Sequence, residues 1–295
     1  MSLSHAARLR ALLHESRMLV APGAYDAISA RLVVQAGFSA VYMTGAGTAA
    51  TLGFPDYGLV TMEEMVGNAA RLVQAADAPV IADGDTGYGN ELNVVRLVRD
   101  HVRAGTAGIH IEDQVSPKKC GHLEDKQIVP REDWLAKIRA AVATRPDPDF
   151  LVIARTDSRA VAGFEEAVAR CNAALAAGAD MAFLEAPQTR EEVAAVPGRV
   201  HGPCLYNLVK GGKSPDIGLD DAEAMGYRLV IVPGLLFKTA IVAGDAALAA
   251  LRETRRHPEV GGMAVHQVFA RVGATEWDAL RTRFRAEASE QDSAA

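Results

Sequence analysis

Residues 80–112, VIADGDTGYGNELNVVRLVRDHVRAGTAGIHIE, decide the fold. Val80–Ala82 is a short apolar run without polar alternation, the pattern of a strand covered on both faces. A polar, glycine-punctuated turn follows at Asp83-Gly84-Asp85-Thr86-Gly87-Tyr88-Gly89. Glu91–Ala104 then has a helical pattern and stops at Gly105, a residue suited to a helix C-terminus. Gly108–Glu112 is a second apolar run. Strand, helix, strand within about 30 residues is a βα unit whose strands run parallel.

The same unit repeats in both directions. Apolar runs recur at Met18–Ala21, Ala40–Met43, Val80–Ala82, Gly108–Glu112, Leu151–Ala154, Met181–Leu184, Cys204–Tyr206 and Leu229–Val232. Helical patterns alternate with them at Ala27–Ala36, Met62–Ala75, Glu91–Ala104, Arg131–Ala143, Phe164–Ala177, Arg190–Val196 and Asp220–Met225. Eight such units predict an α/β fold, a closed (β/α)8 TIM-type barrel over about 18–235, in preference to an open doubly wound sheet. No linker divides the chain, so residues 1–295 read as one domain with a C-terminal helical extension over about 236–295. That extension predicts two or three more helices. Its stretch Phe237–Leu251 is apolar on more than one face and must be buried, which points to a contact between subunits.

With 49% hydrophobic and 23% charged residues the chain is globular. A net charge of −6 argues against a nucleic-acid surface, and the basic run Arg252–His257 is broken by Glu253. Three cysteines with no CxxC spacing argue against a disulfide framework or zinc ribbon and fit a reducing compartment. The N-terminal residues carry charges every few positions, and no uncharged stretch approaches the roughly 20 residues that cross a bilayer. The expectation is a cytoplasmic enzyme acting on a small molecule, without a membrane or nucleic-acid partner.

In such a barrel chemistry belongs to the C-terminal strand ends. Those ends read Tyr42-Met43-Thr44-Gly45-Ala46-Gly47, Asp83-Gly84-Asp85, His110-Ile111-Glu112-Asp113-Gln114, Arg155-Thr156-Asp157, Glu185 and Asn207. Asp83 and Asp85 project to one face of an extended chain, as do His110 and Glu112. One acid at a strand end is readily explained by helix capping or an arginine partner. Acids ending strands 3, 4 and 6 together predict a divalent cation, and oxygen donors select Mg2+ or Mn2+ over zinc.

Gly45-Ala46-Gly47-Thr48-Ala49-Ala50 also fits a GxGxxA dinucleotide fingerprint, with Glu63 and Glu64 onward. It follows the second strand instead of the first, in a chain with too many βα units for that fold, and a substrate carboxylate on its amides is the preferred reading. A long polar loop, Val115–Lys126, has the character of a rim lid. Lys118, Lys119 and His122 flank Cys120 there, which predicts a lowered thiol pKa and a role as proton donor or nucleophile; an incidental thiol in a basic loop is the competing reading. No lysine lies within a strand run, which disfavours a Schiff-base aldolase.

Lys118-Lys119-Cys120-Gly121-His122 resembles the signature loop of the isocitrate lyase/phosphoenolpyruvate mutase superfamily, and the strand-end motifs, together with Pro55-Asp56, follow that family in order from about Pro22 to Pro233. The resemblance implies that Asp83 binds Mg2+ directly while Asp56, Asp85 and Glu112 hold it through water. It also implies a homotetramer whose last helices swap between subunits. A cysteine in this loop resembles the carbon–carbon lyases, whereas the phosphonopyruvate-forming mutases have an asparagine-containing loop there. The length is similar to that of the 2-methylisocitrate and 2,3-dimethylmalate (2-alkylmalate) lyases. Lys119, where 2-methylisocitrate lyases usually have Arg, and Thr44-Gly45-Ala46-Gly47, in place of their Ser-Gly-Gly-Gly, lean toward the alkylmalate branch.

The resemblance thus implies cleavage of a 2-hydroxy di- or tricarboxylate into a 2-oxo acid such as pyruvate and a second carboxylate. Tyr42 would act as base, Cys120 as the acid that protonates the carbanion, and Arg155, His122 and Asn207 as its stabilisers, with Lys118 and Glu185 in the catalytic set. Thr44, Gly45, Ala46, Gly47, His110 and Gly121 would contact substrate, while Leu208, Pro233, Leu235 and Phe237 would form the pocket for its substituents. A carboxyphosphonoenolpyruvate- or phosphonopyruvate-type mutase, an oxaloacetate hydrolase or decarboxylase, and a non-catalytic binding protein are the alternatives on this scaffold.

Overall fold

A computed structural model describes residues 3–292, with side chains through residue 285. Eight strands, β1 (Leu19–Ala24), β2 (Val41–Met43), β3 (Val80–Asp83), β4 (Gly108–Glu112), β5 (Leu151–Thr156), β6 (Met181–Leu184), β7 (Cys204–Asn207) and β8 (Leu229–Val232), close in sequence order into a parallel barrel, β1 pairing with β8. The helices are α1 (His5–His14), α2 (Ala27–Gln35), α3 (Gly45–Thr51), α4 (Met62–Ala76), α5 (Glu91–Ala104), α6 (Arg131–Thr144), α7 (Arg159–Ala162), α8 (Phe164–Ala176), α9 (Arg190–Arg199), α10 (Leu219–Met225), α11 (Leu235–Thr254), α12 (Val265–Arg271) and α13 (Ala274–Asp292). The predicted (β/α)8 TIM-type barrel is therefore the fold, and all eight predicted strands are present.

Each strand sorts its side chains by parity. Leu19, Ala21, Tyr42, Ile81, Leu151, Ile153, Met181, Phe183, Leu205, Leu229 and Ile231 pack together in one cluster inside the barrel. Their neighbours, among them Val41, Val80, Ile109, Val152, Ala182, Cys204 and Val230, belong to the clusters that join the strands to the helical layer. The inward parity continues upward to Asp83, His110 and Glu112, Arg155, Glu185 and Asn207. Pairing of Asp83 with His110 and of Glu112 with Arg155 sets these residues side by side.

Sequence patterns missed α1, whose charged surface hides a narrow apolar stripe; only Ala6 and Leu9 of it are buried, and Leu9 joins the inner barrel cluster. Ser4 caps the helix by accepting from the Ala7 amide. Helix α9 runs past its expected end at Val196 through Pro197 to Arg199, and the Val193 carbonyl, which Pro197 cannot bond, accepts from the Tyr227 hydroxyl at 2.8 Å.

The chain divides into two compact units, one up to Thr239 and one from Ala240 onward. The second contains the end of α11 with α12 and α13. Helices α11 and α12 have no buried residue, and Val242, Leu248, Val265, Phe269 and Trp277 are among the unit's exposed apolar side chains. No helix among the described residues is long and apolar enough to cross a membrane.

Candidate active site

The inward columns end in a ring of polar groups that the sheet cannot neutralise by itself. Asp83, at the end of β3, lies beneath the β2–α3 turn: its Oδ2 accepts from the Gly45 amide at 3.2 Å and from the Tyr42 hydroxyl at 3.3 Å, while Oδ1 accepts from the Asp85 amide at 3.0 Å. Burial pushes its pKa up, but His110, Lys118 and Arg155 outweigh this and hold it below the usual carboxylate range. Asp85 sits in the left-handed region at φ 46°, a conformation aspartate tolerates better than most residues. Burial raises its pKa to about 6 against the pull of Lys118. Glu112 is fully buried and is likewise raised by burial, although Arg155 Nε lies 3.2 Å from Oε2. Lys118 reaches from the loop into this group, with Nζ 2.6 Å from Asp56 and 2.8 Å from Asp85.

Tyr42 and His110 stack, and Tyr42 Oη is 2.8 Å from His110 Nε2. Burial lowers the His110 pKa to about 4, so the ring is neutral near pH 7. Burial, then Asp83, raises the Tyr42 phenol well above its ordinary value. This corrects the expectation of Tyr42 as a free base: at this site it stands protonated. His110 is also corrected from substrate contact to support, because it lies fully buried beneath Tyr42 and beside Asp83.

The amides at the start of α3 are mostly spoken for. Gly45 donates to Asp83, and Gly47 donates to Thr44 Oγ1 at 3.4 Å. A Cβ on Gly45 would approach Asp83 Oδ2 to 2.5 Å, so this position must be glycine. Of the expected carboxylate cradle, Ala46 and Thr44 face the cavity while Gly45 and Gly47 serve the turn.

The loop carrying Cys120 is folded over the strand ends. Cys120 N donates to Asp56 O at 3.1 Å, and Gln114 and Lys119 exchange side-chain and backbone hydrogen bonds at 2.8 and 3.0 Å. The thiol pKa is raised, not lowered, chiefly by burial with Asp56 and Glu185 adding to it. The predicted activation by flanking lysines fails because Lys118 is committed to the carboxylates below. A protonated thiol fits a proton donor and not a thiolate nucleophile.

His122 accepts from the Lys213 amide on Nδ1 at 3.0 Å, which leaves the proton on Nε2; that atom lies 3.3 Å from Glu185 Oε1 with no hydrogen-bond partner. Burial lowers this ring's pKa as well. Arg155 is held at Nε by Asp157 Oδ2, 3.0 Å away, and lies 3.6 Å from Glu185. Asn207 donates Nδ2 to Glu185 at 3.1 Å and keeps Oδ1 unpartnered.

Tyr42, Thr44, Ala46, Asp56, Asp83, Cys120, Gly121, His122, Arg155, Glu185 and Asn207 line one cavity of about 180 Å³, together with Val209, Pro233, Gly234, Phe237 and Lys238. The sequence profile of the phosphoenolpyruvate phosphomutase family matches residues 9–252. The 2,3-dimethylmalate lyase of Eubacterium barkeri is 49% identical over 232 residues, 78% of this chain and 80% of that protein. The 2-methylisocitrate lyase of Aeropyrum pernix is 42% identical over 245 residues, 83% of this chain and 79% of its own length. A solved oxaloacetate acetylhydrolase with bound 3,3-difluorooxalacetate superposes with a TM-score of 0.91 at 39% identity, covering 96% of this chain and 97% of that one. The chain belongs to the phosphoenolpyruvate mutase/isocitrate lyase superfamily. It is an enzyme with the lyase or mutase chemistry of that superfamily.

Within this superfamily member the predicted residues divide by depth. Eleven of them reach the cavity, whereas Asp85, His110, Glu112, Lys118, Gly45 and Gly47 hold the layer beneath it. Of the residues expected to surround a substituent, Pro233 and Phe237 line the cavity, while Leu208 and Leu235 line an adjoining hollow of about 330 Å³ that shares Val209, Gly234 and Lys238 with it. Sequence reasoning missed Val209 and Lys213, which follow β7 around the Gly211-Gly212 turn, and Lys238 in the first turn of α11, none of which has a motif of its own. It noted Lys126 in the loop and Asp157 at the end of β5 without giving either a role. Asp157 stands two residues beyond Arg155, a spacing that puts both on one face of the strand end and could have marked the pair.

Proposed function

We propose that this chain is an Mg2+-dependent carbon–carbon lyase that cleaves a 2-hydroxy di- or tricarboxylate of the 2-alkylmalate or 2-methylisocitrate type into a 2-oxo acid and a second carboxylate. The observation that carries this reading is a thiol kept protonated on the loop of a small cavity that also presents Asp83, Arg155 and Glu185.

The donor set fits a hard divalent ion, Mg2+ or Mn2+ in its place. Glu112 Oε1 is buried without a hydrogen-bond partner, and all four candidate ligands are carboxylates. Among the described residues no three His, Cys, Asp or Glu side chains converge tightly enough to hold an ion unaided. An ion held by Asp83 directly and by Asp56, Asp85 and Glu112 through water needs no such convergence, since Mg2+ commonly keeps several waters. When bound, it would supply Lewis acidity to the 2-hydroxyl and C1 carboxylate of the substrate.

The chain's own groups then do the rest. Ala46 and Thr44 orient the substrate at the α3 end. The Tyr42 hydroxyl takes up the substrate hydroxyl proton as it passes its own to the neutral His110 Nε2, 2.8 Å away. Arg155 and the Nε2–H of His122 stabilise negative charge as the C2–C3 bond breaks. Cys120 delivers its proton to the resulting carbanion carbon. The apolar wall of Val209, Pro233 and Phe237 suits an alkyl substituent. The exposed apolar surface of the second unit supports a homotetramer in which terminal helices are exchanged between subunits.

The similarity to an oxaloacetate acetylhydrolase supports hydrolysis of oxaloacetate as a second reading, and phosphonate chemistry is the third. A panel assay with Mg2+ decides among them: 2-oxo acid release from 2,3-dimethylmalate, 2-ethyl-3-methylmalate, 2-methylisocitrate and isocitrate, oxaloacetate consumption, and phosphonopyruvate followed by phosphorus NMR. Efficient cleavage of a hydroxy acid is the expected result. Consumption of oxaloacetate or the phosphonate alone would overturn the lyase reading.

A further inference from the structure

One buried cation of the loop has no part in this chemistry. Lys126 stands at the loop's far shoulder, where a lysine ordinarily keeps its head in water. Instead its side chain is 1% exposed. Nζ donates to Asp157 Oδ1 at 2.8 Å and to the Gly121 carbonyl. A buried lysine is tolerable only where its charge is paired and its donors filled, and these two acceptors meet that need.

Both acceptors are strategic. Asp157 is fully buried and also takes Arg155 Nε on Oδ2 at 3.0 Å and Nη2 on Oδ1 at 3.3 Å, so one carboxylate holds the loop and the arginine. Asp157 is itself fixed from behind: its amide donates to Asp113 Oδ1 at 2.8 Å, and Asp113 accepts from Arg170 at 3.0 Å. The lysine must therefore come to the aspartate. Gly121, the other acceptor, lies so close to the arginine that a Cβ there would come within 2.6 Å of Arg155 Nη2. Cys120 and His122 are its immediate neighbours on either side, so pinning the Gly121 carbonyl sets the direction of both.

We propose that Lys126 is a positioning residue: by bridging Gly121 and Asp157 it fastens the loop over the cavity in the geometry that aims Cys120 and His122, and through the shared aspartate it aims Arg155. It touches no substrate. The activity part of the test rests on the lyase reading given above; the chemical-modification part does not.

The test compares wild type with Lys126→Met, which keeps the stem and removes the donors, and Lys126→Arg, which restores a cation. Cys171 and Cys204 are buried, so carboxamidomethylation by iodoacetamide, read by peptide mapping, reports on Cys120. With Mg2+ and oxalate present, Lys126→Met is expected to modify Cys120 about ten-fold faster than wild type, and Lys126→Arg within about three-fold, as loss of a charged hydrogen-bond pair would allow. On whichever substrate the wild type accepts, Lys126→Met should lower kcat by about ten- to a hundred-fold with KM little changed. Equal modification rates in folded Lys126→Met and wild type would overturn the proposal. If Lys126→Met does not fold, Asp157→Asn replaces it and must show the same acceleration. A wild type that turns over no hydroxy acid defeats the lyase reading and leaves the modification result to decide this one.

Discussion

At the scale of single residues, Cys120 and Asp83 carry the sharpest expectations. Cys120→Ser is expected to keep Mg2+ and substrate binding, measured by calorimetry, and to lose about two to four orders of magnitude in kcat, the range for removing an acid–base group. Turnover near wild type would end its role as proton donor. Asp83→Ala is expected to be inactive at any practical Mg2+ concentration; recovery by added metal would demote Asp83 to an outer position. The residues that sequence made legible are those that terminate a strand on its inward parity, such as Asp83, Arg155 and Asn207, because strand phase and chemistry coincide there. What it could not give was partnership. Nothing in Lys118-Lys119-Cys120 says that Lys118 points to Asp56 and Asp85 instead of toward the thiol, or that the thiol is buried deeply enough for burial to raise its pKa.

At the scale of elements, α5 packs a histidine whose titration is a stability device. His101 is fully buried on this helix with neither ring nitrogen hydrogen-bonded, and burial lowers its pKa to about 4, against the raising influence of Asp100 and Asp83. The unfolded chain takes up the proton near pH 6.5 and the folded chain only near 4, so this contribution is complete above 6.5 and is lost as pH falls toward 4. The loss approaches roughly 3 kcal/mol. His101→Leu is expected to flatten the fall of thermal stability between those values; parallel melting curves for the two proteins would refute the assignment. Most element boundaries were visible in the sequence, since apolar runs and glycine stops determine them locally. Helix α1 was not, although its Ala, Leu and Arg residues favour helix, because only Ala6 and Leu9 of it are buried and so few apolar positions mark a core-facing stripe.

At the scale of the molecule, the second unit sets the expectation for assembly. Val242 and Leu248, 68% and 67% exposed on α11, are apolar positions that a lone chain would not favour. A double substitution, Val242→Glu with Leu248→Glu, is expected to convert a sedimenting tetramer into smaller species, whereas a wild type that sediments at 31.2 kDa would remove the tetramer from the proposal. The barrel itself separates labour by height. Ile81, Ile153, Phe183 and Leu205 pack the interior, and two residues further along each strand stand Asp83, Arg155, Glu185 and Asn207. An evolving lineage can therefore rewrite the upper tier while inheriting the lower one unchanged. Length is the quantity it cannot vary: one residue inserted between Ile81 and Asp83 would turn the carboxylate out toward the helices, so new chemistry on this scaffold has to arrive by substitution at the rim or by growth of the loops beyond it.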